Sequence, residues 1–289
     1  MTAVTIKELM EAGVHFGHQT QKWNPKMQRY IFDKRNGIHI INLQKTVPLL
    51  MKACSFISEL IVKGDIILFV GTKEQAKEMI IETATALSMP YVSERWLGGM
   101  LTNIVTIRQS IAKLENFEKM EADGTLAALS KKEQSVLMKE KAKLVKNLSG
   151  VKRMKALPDA LFVVDPDHEH NAVAEARRLH IPIVAILDTN CDPDIIDYGI
   201  PANDDSLRAV SYILGAIKEA GMAGLDMWNK NEAEKKAREE KERAEESAKK
   251  EEKKRKSEEI RKVKEAAEQA EKARTEEIIA DLESRQNLK

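Results

Sequence analysis

The sequence predicts an α/β protein: a doubly wound parallel sheet, an inserted antiparallel helical hairpin and a charged C-terminal tail. Three observations carry this prediction. Short runs of consecutive apolar residues end in Gly or Asp, and most lead into a helical stretch, as buried strands alternating with helices do. Between residues 104 and 150 apolar residues recur instead at steps of three and four, on two stretches separated by Asp123-Gly124. From residue 229 onward, 37 of 61 residues are charged and none is Gly, Pro or aromatic.

The elements follow in order. Tyr30-Ile-Phe32 and Ile38-His-Ile-Ile41 flank Arg35-Asn-Gly37, whose Asn-Gly pair is a strong hairpin-turn signal. Asp65-Ile-Ile-Leu-Phe-Val-Gly71 reads as a buried strand, Lys73 to Leu87 as a helix and Tyr91 to Trp96 as a short strand. Ile104, Ile107, Ile111, Leu114 and Phe117 mark one arm of the inserted hairpin, and Leu137, Leu144 and Leu148 mark the other. Ala160 to Asp165 is a second strand, His168 to Leu179 a helix and Ile183 to Asp188 a third strand. A closing helix spans Asp204 to Ala220, with Asp204 or Asp205 as its N-cap. The organisation is therefore residues 1–103, the insertion 104–150, the second half of the α/β body 151–228, and the tail 229–289.

A chain of 289 residues with 43% apolar side chains builds a core without disulfides. Cys54 and Cys191 stand apart with no CxxC spacing, which points to a reducing compartment, the cytoplasm. No apolar run approaches the roughly 20 residues of a membrane span, and Met1 to Leu9 lacks the apolar stretch of a signal peptide. Charge is uneven. Residues 1–60 carry 8 basic and 4 acidic side chains, residues 105–157 carry 12 and 6, and residues 158–228 carry 4 and 13. Such a dipolar body suits a polyanion on its basic regions and a basic partner on its acidic face.

Enzymatic chemistry finds little support. The turn Gly71-Thr-Lys-Glu74 has one glycine and neither phosphate-loop pattern. His15-Phe-Gly-His18 offers two imidazoles, but no Cys or carboxylate follows at ligand spacing, and a structural or RNA-contacting role is the better reading. Asp165, Asp167, His168, Asp188, Asp204 and Asp205 should collect at the carboxyl edge of the sheet. His168, Asp188, Asp204 and Asp205 form a candidate set for a divalent cation; helix capping is the alternative and the preferred reading. No nucleophile is placed beside a base.

The motifs then resemble a known family. Ala12-Gly-Val-His-Phe-Gly-His-Gln-Thr20, Trp23-Asn-Pro-Lys26 and Ile38-His-Ile-Ile-Asn-Leu43 are similar to segments of the bacterial ribosomal protein S2 family. Phe69-Val-Gly-Thr-Lys73, Arg95-Trp-Leu-Gly-Gly-Met-Leu-Thr-Asn103 and Pro158-Asp-Ala-Leu-Phe-Val-Val-Asp165, running on through Glu175 to Ile181-Pro182, follow in the family's order. The resemblance covers about Val4 to Gly221 and leaves the tail outside. It implies a flavodoxin-like sheet with a coiled-coil hairpin and no catalytic activity. It further implies binding to 16S rRNA on the small subunit, and help in docking other subunit proteins, including the large mRNA-binding protein S1, near the mRNA exit region.

Irregular RNA is held through phosphates and stacked bases. Lys22, Trp23, Asn24, Lys26 and Arg29, with Lys34 and Arg35 at the hairpin tip, combine both means. Trp23 alone reads more readily as a core anchor than as a stacking residue, so the lysines and arginines carry the reading. Arg95, Thr102, Asn103 and Arg108 flank Gly98-Gly99, where the missing side chains admit a phosphate to the backbone or simply permit a turn. The tail has a net charge of +1 and reads as a single charged helix or a disordered segment. Wholly helical, it would reach about 90 Å. Lys253-Lys-Arg-Lys256 could touch phosphate, and Ile278, Ile279 and Leu282 would offer an apolar partner contact.

Overall fold

The structure, a computed structural model, describes residues 4–125, 130–152, 154, 156–243 and 249–250. The chain divides into two units, residues 1–229 and 230–289. Thr5 opens the first helix, α1 (Ile6–Glu11), through a capping box in which its hydroxyl accepts from the Glu8 amide and the Glu8 carboxylate accepts from the Thr5 amide. Strands β1 (Phe16–Gln19), β2 (Ile31–Arg35) and β3 (Ile38–Ile41) form an antiparallel sheet in the order β1-β3-β2. The β2–β3 pair is the expected hairpin: Asn36 and Gly37, at φ 48° and 76°, take the two left-handed positions of its turn. Helix α2 (Leu43–Lys63) follows. Asn42 caps its start, Gly64 at φ 85° ends it, and Leu50, Ala53, Cys54, Ile57, Leu60 and Ile61 make its buried stripe. α1, β1 and α2 come in addition to the elements the sequence predicts. The first two are too short to show a period, and α2 carries Pro48, a residue that argues against helix.

The body's sheet contains β4 (Ile67–Val70), β5 (Tyr91–Val92), β6 (Ala160–Val164), β7 (Ile183–Leu187) and β8 (Tyr198–Pro201), all parallel, in the order β5-β4-β6-β7-β8. This is the flavodoxin-like order, with its switch point between β4 and β6. Every residue of β4, β6 and β7 is buried, which explains the uninterrupted apolar runs. Phe69, Phe162, Val164, Val184 and Ile186 pack with α2, α3 (Glu74–Ala86) and the closing helix, residues 207–229. Their neighbours Leu68, Val70, Leu161, Val163, Ala185 and Leu187 face the other way, onto the base of the inserted hairpin and the helix His170–Arg178.

The insertion is the predicted helix pair, α4 (Ile104–Ala122) and α5 (Lys131–Leu148), which makes the helix His170–Arg178 α6. Ile107, Ile111, Leu114, Phe117 and Leu148 are buried, while Leu137 and Leu144 are half-buried. Lys113 pairs with Glu140, Lys141 with Glu121 and, just past the insertion, Lys152 with Glu118, so part of the basic charge is balanced in the hairpin and at its root.

Several boundaries differ from expectation for local reasons. The strand from Tyr91 has two residues. α6 begins at His170 because the Asp165 carboxylate accepts from the Asp167 and His168 amides and turns the chain first. The closing helix begins at residue 207, and Asn203, not Asp204 or Asp205, supplies the side-chain oxygen that accepts from the Asp205 and Ser206 amides. In the second unit, residues 230–243 are helical, with Glu232–Lys236 and Arg238–Glu242 pairs one turn apart. Lys253–Lys256, Ile278, Ile279 and Leu282 lie outside the described residues. Among the described residues, no helix is long and apolar enough to cross a membrane.

Candidate functional site

The segment before β2 is built around one anchor. Asn24 caps a 3-10 helix, Pro25–Tyr30, by accepting from the Lys26 amide, and Met27 is its buried residue. Trp23 is half-buried, its ring 5.0 Å from that of His39 on β3. Lys22 and Lys34 are exposed, and Arg35 reaches its own strand neighbour Asp33 at 3.4 Å. Lys26 and Arg29 are already engaged. Lys26 Nζ lies 2.7 Å from Asp192 and 3.2 Å from Asp194, and Arg29 lies 3.0 Å from Asp194.

The second segment, Arg95 to Arg108, rests on Trp96, Met100, Leu101, Ile107 and Ile111, which share one apolar cluster with Met27. Folding thus brings the two basic segments onto the same side of the sheet. Arg95, Thr102, Asn103 and Arg108 are exposed around this base. The Gly98-Gly99 turn is tied from within: Glu175 on α6 accepts from the Gly99, Leu101 and Thr102 amides, the Thr102 hydroxyl and the Trp96 indole. Burial works against the Glu175 carboxylate, but these hydrogen bonds outweigh it and lower its pKa.

At the carboxyl edge of the sheet lies a dense charged cluster. Lys73, following β4, places Nζ 2.7 Å from Asp165, 2.8 Å from Asp204 and 2.8 Å from Asp205. His18, on β1, places Nδ1 3.1 Å from Asp188 and Nε2 3.4 Å from Asp205. The Nδ1 contact is close without being an aligned hydrogen bond. Asp188 raises the imidazole pKa to about 9 against the effect of burial. Burial, followed by the Asp165 and Asp188 charges, raises Asp204 to about 7 even with Lys73 beside it. The Lys73 ammonium is held well above its ordinary range: burial opposes its charge, but Asp204, Asp165 and Asp205 together prevail.

His168 is not brought into this cluster; its Nε2 lies 3.1 Å from Thr72 Oγ1. Among the described residues, the groups close enough to share an ion are His18, Asp188 and Asp204, and also Asp165, Cys191 and Asp204. Their donor types suit a divalent cation, although the Lys73 ammonium already neutralises part of the site. The sequence reading missed His18 and Lys73 as partners of these carboxylates. Spacing offered no signal, because His18 meets residues 170 and 187 positions away.

Residues 9–224 match the family model for ribosomal protein S2. The chain belongs to the ribosomal protein S2 family. This S2 family member is a structural constituent of the small ribosomal subunit, in a family that is structural rather than enzymatic. The match begins in α1, runs through both arms of the inserted hairpin and ends in the closing helix, so it includes every site residue described above. A further surface of this S2 protein is apolar. Ile6, Met10, Phe16, Phe32, Ile38 and Ile40 are among the residues lining a groove of about 510 Å³ between α1 and the small sheet.

Proposed function

We propose that this S2 family chain binds 16S rRNA in the cytoplasm through its two basic segments and helps to dock other small-subunit proteins, including S1, near the mRNA exit region. The shared apolar cluster beneath Met27 and Trp96 carries the rRNA reading: it sets Lys22, Arg95, Thr102, Asn103 and Arg108 over one support. Positive charge with the Asn103 amide on one surface suits phosphate and 2′-OH contacts, and the Thr102 hydroxyl, whose proton goes to Glu175, can accept from a 2′-OH.

For protein docking the apolar groove is the better surface than acidic charge. Asp165, Asp192, Asp194, Asp204 and Asp205 all lie in ion pairs within the body, whereas Phe16 and Phe32 are 47% and 70% exposed. Clustered exposed apolar side chains mark protein interfaces. A divalent cation at Asp188 and Asp204 remains part of this reading, supported by Asp204 Oδ2, a buried oxygen with no hydrogen-bond partner among the described residues.

Sedimentation tests the whole reading. Endogenous protein should travel with small subunits in a sucrose gradient at moderate salt; protein remaining at the top would overturn it. Replacing Phe16 and Phe32 with Ala should deplete S1 from those subunits without displacing the chain itself. Metal analysis of purified protein should find an ion that Asp188→Asn releases.

A further inference from the structure

Five donors converge on one carboxylate. Glu175 Oε1 accepts from Gly99 N at 2.8 Å and Trp96 Nε1 at 3.0 Å. Its Oε2 accepts from Leu101 N, Thr102 N and Thr102 Oγ1, each at 3.0 Å. Closely spaced amides curled toward one point form a nest for an anion such as phosphate. Here the anion comes from the chain itself. Gly99, at φ 85°, supplies the left-handed residue that bends the loop around it, and an added Cβ would stand 3.1 Å from the Asn103 Cβ.

This arrangement has two consequences for the surface described above. The amides of Gly99, Leu101 and Thr102 are spent on Glu175, so this turn does not offer them to an rRNA phosphate. Their geometry instead fixes what flanks them. Arg95 precedes the nest, and Asn103 follows it as the N-cap of α4, with its side chain accepting from Thr106 Oγ1 at 3.1 Å. Glu175 stands on α6, in the second half of the body, and so ties the root of the insertion to the sheet's own covering helix.

We infer that Glu175 is a positioning residue for rRNA binding: its carboxylate acts as a built-in anion that organises residues 96–102 and thereby orients Arg95, Asn103 and the first turn of α4. The inference rests on the proposed rRNA reading. It differs from a general structural role because it assigns the effect to charge at one nest, which an external anion can replace.

The test uses the full chain, with amide hydrogen exchange at Gly99, Leu101 and Thr102 alongside filter binding to 16S rRNA across a salt series. Glu175→Gln keeps the volume but turns an acceptor into a donor facing other donors. It should speed exchange at these three amides and weaken rRNA binding about tenfold, the scale of one charged hydrogen bond. The salt slope should fall part of the way toward that of Arg95→Ala, in which the cation is removed outright. In Glu175→Ala, formate added at constant ionic strength should restore both amide protection and rRNA affinity. Thr102→Val removes one donor and should give a smaller loss, so the test survives even where the Ala variant folds poorly. Wild-type affinity in a Glu175→Gln variant with accelerated exchange would overturn the inference. So would formate restoring protection without rRNA binding. A wild-type chain that fails to bind 16S rRNA would overturn the proposed function and the positioning role together, while formate-restored protection would still identify the nest.

Discussion

Gly17 has no room for a methyl group. A Cβ there would lie 2.6 Å from Thr189 Cγ2 and 3.2 Å from Asp188 Oδ1, because β1 passes directly over the loop after β7. The glycine between His15 and His18 therefore serves close approach, and the His18 amide donates to Thr189 Oγ1 at 2.9 Å as a result. Gly17→Ala should destabilise the fold by about 1–3 kcal/mol through overpacking, read as a lower urea midpoint at unchanged m. Lys73 holds three carboxylates with only 16% of its side chain exposed. Lys73→Met should cost about 3–5 kcal/mol, since removing one partner leaves buried charge uncompensated. Glu175 carries the pH dependence of the Gly98-Gly99 turn. Its folded pKa lies below the ordinary value of 4.5, so its contribution is complete above that value and is lost as pH falls through the folded pKa. Amide protection at Gly99, Leu101 and Thr102 should therefore collapse at acidic pH, below about 4.5.

Among the elements, the 3-10 helix Pro25–Tyr30 and the turn Pro193–Ile195 face each other through Lys26, Arg29, Asp192 and Asp194. Cations already paired gain less from a phosphate than exposed ones. Substituting Lys22 and Lys34 with Ala should thus reduce the log-log salt slope of rRNA binding more than substituting Lys26 and Arg29, by roughly 0.7–0.9 for each phosphate left without its cation. Equal changes would show that Asp192 and Asp194 release their partners at no cost. The same elements show what a sequence discloses. β4, β6 and β7 were legible because both faces are buried, and the insertion because its apolar seam keeps helical steps. β1 and β8, four residues each, were not, since their pattern is set by what they dock against. The charged set at the sheet edge was legible only in its carboxylates; His18 arrives from another sheet through a contact that no local spacing encodes.

At the scale of the whole molecule, the boundary between units falls after Asn229, and Trp228 belongs to the body: a Cβ on Gly64 would stand 2.9 Å from its indole nitrogen. Truncation after Trp228 should leave a folded body that still enters small subunits, as read by circular dichroism and gradient sedimentation; truncation before Trp228 should lower the melting temperature by exposing the end of α2. The partners of His18 have a consequence for how the chain is made. Asp188 and Asp205 lie near the end of the body, as does Thr189 beneath Gly17. During synthesis at about 5–20 residues per second, β1 therefore waits on the order of ten seconds after emerging before its seat exists. Through that interval β1 has β3 to pair with but no seat for Gly17 and His18, so closing these contacts is a late step in the folding of the chain.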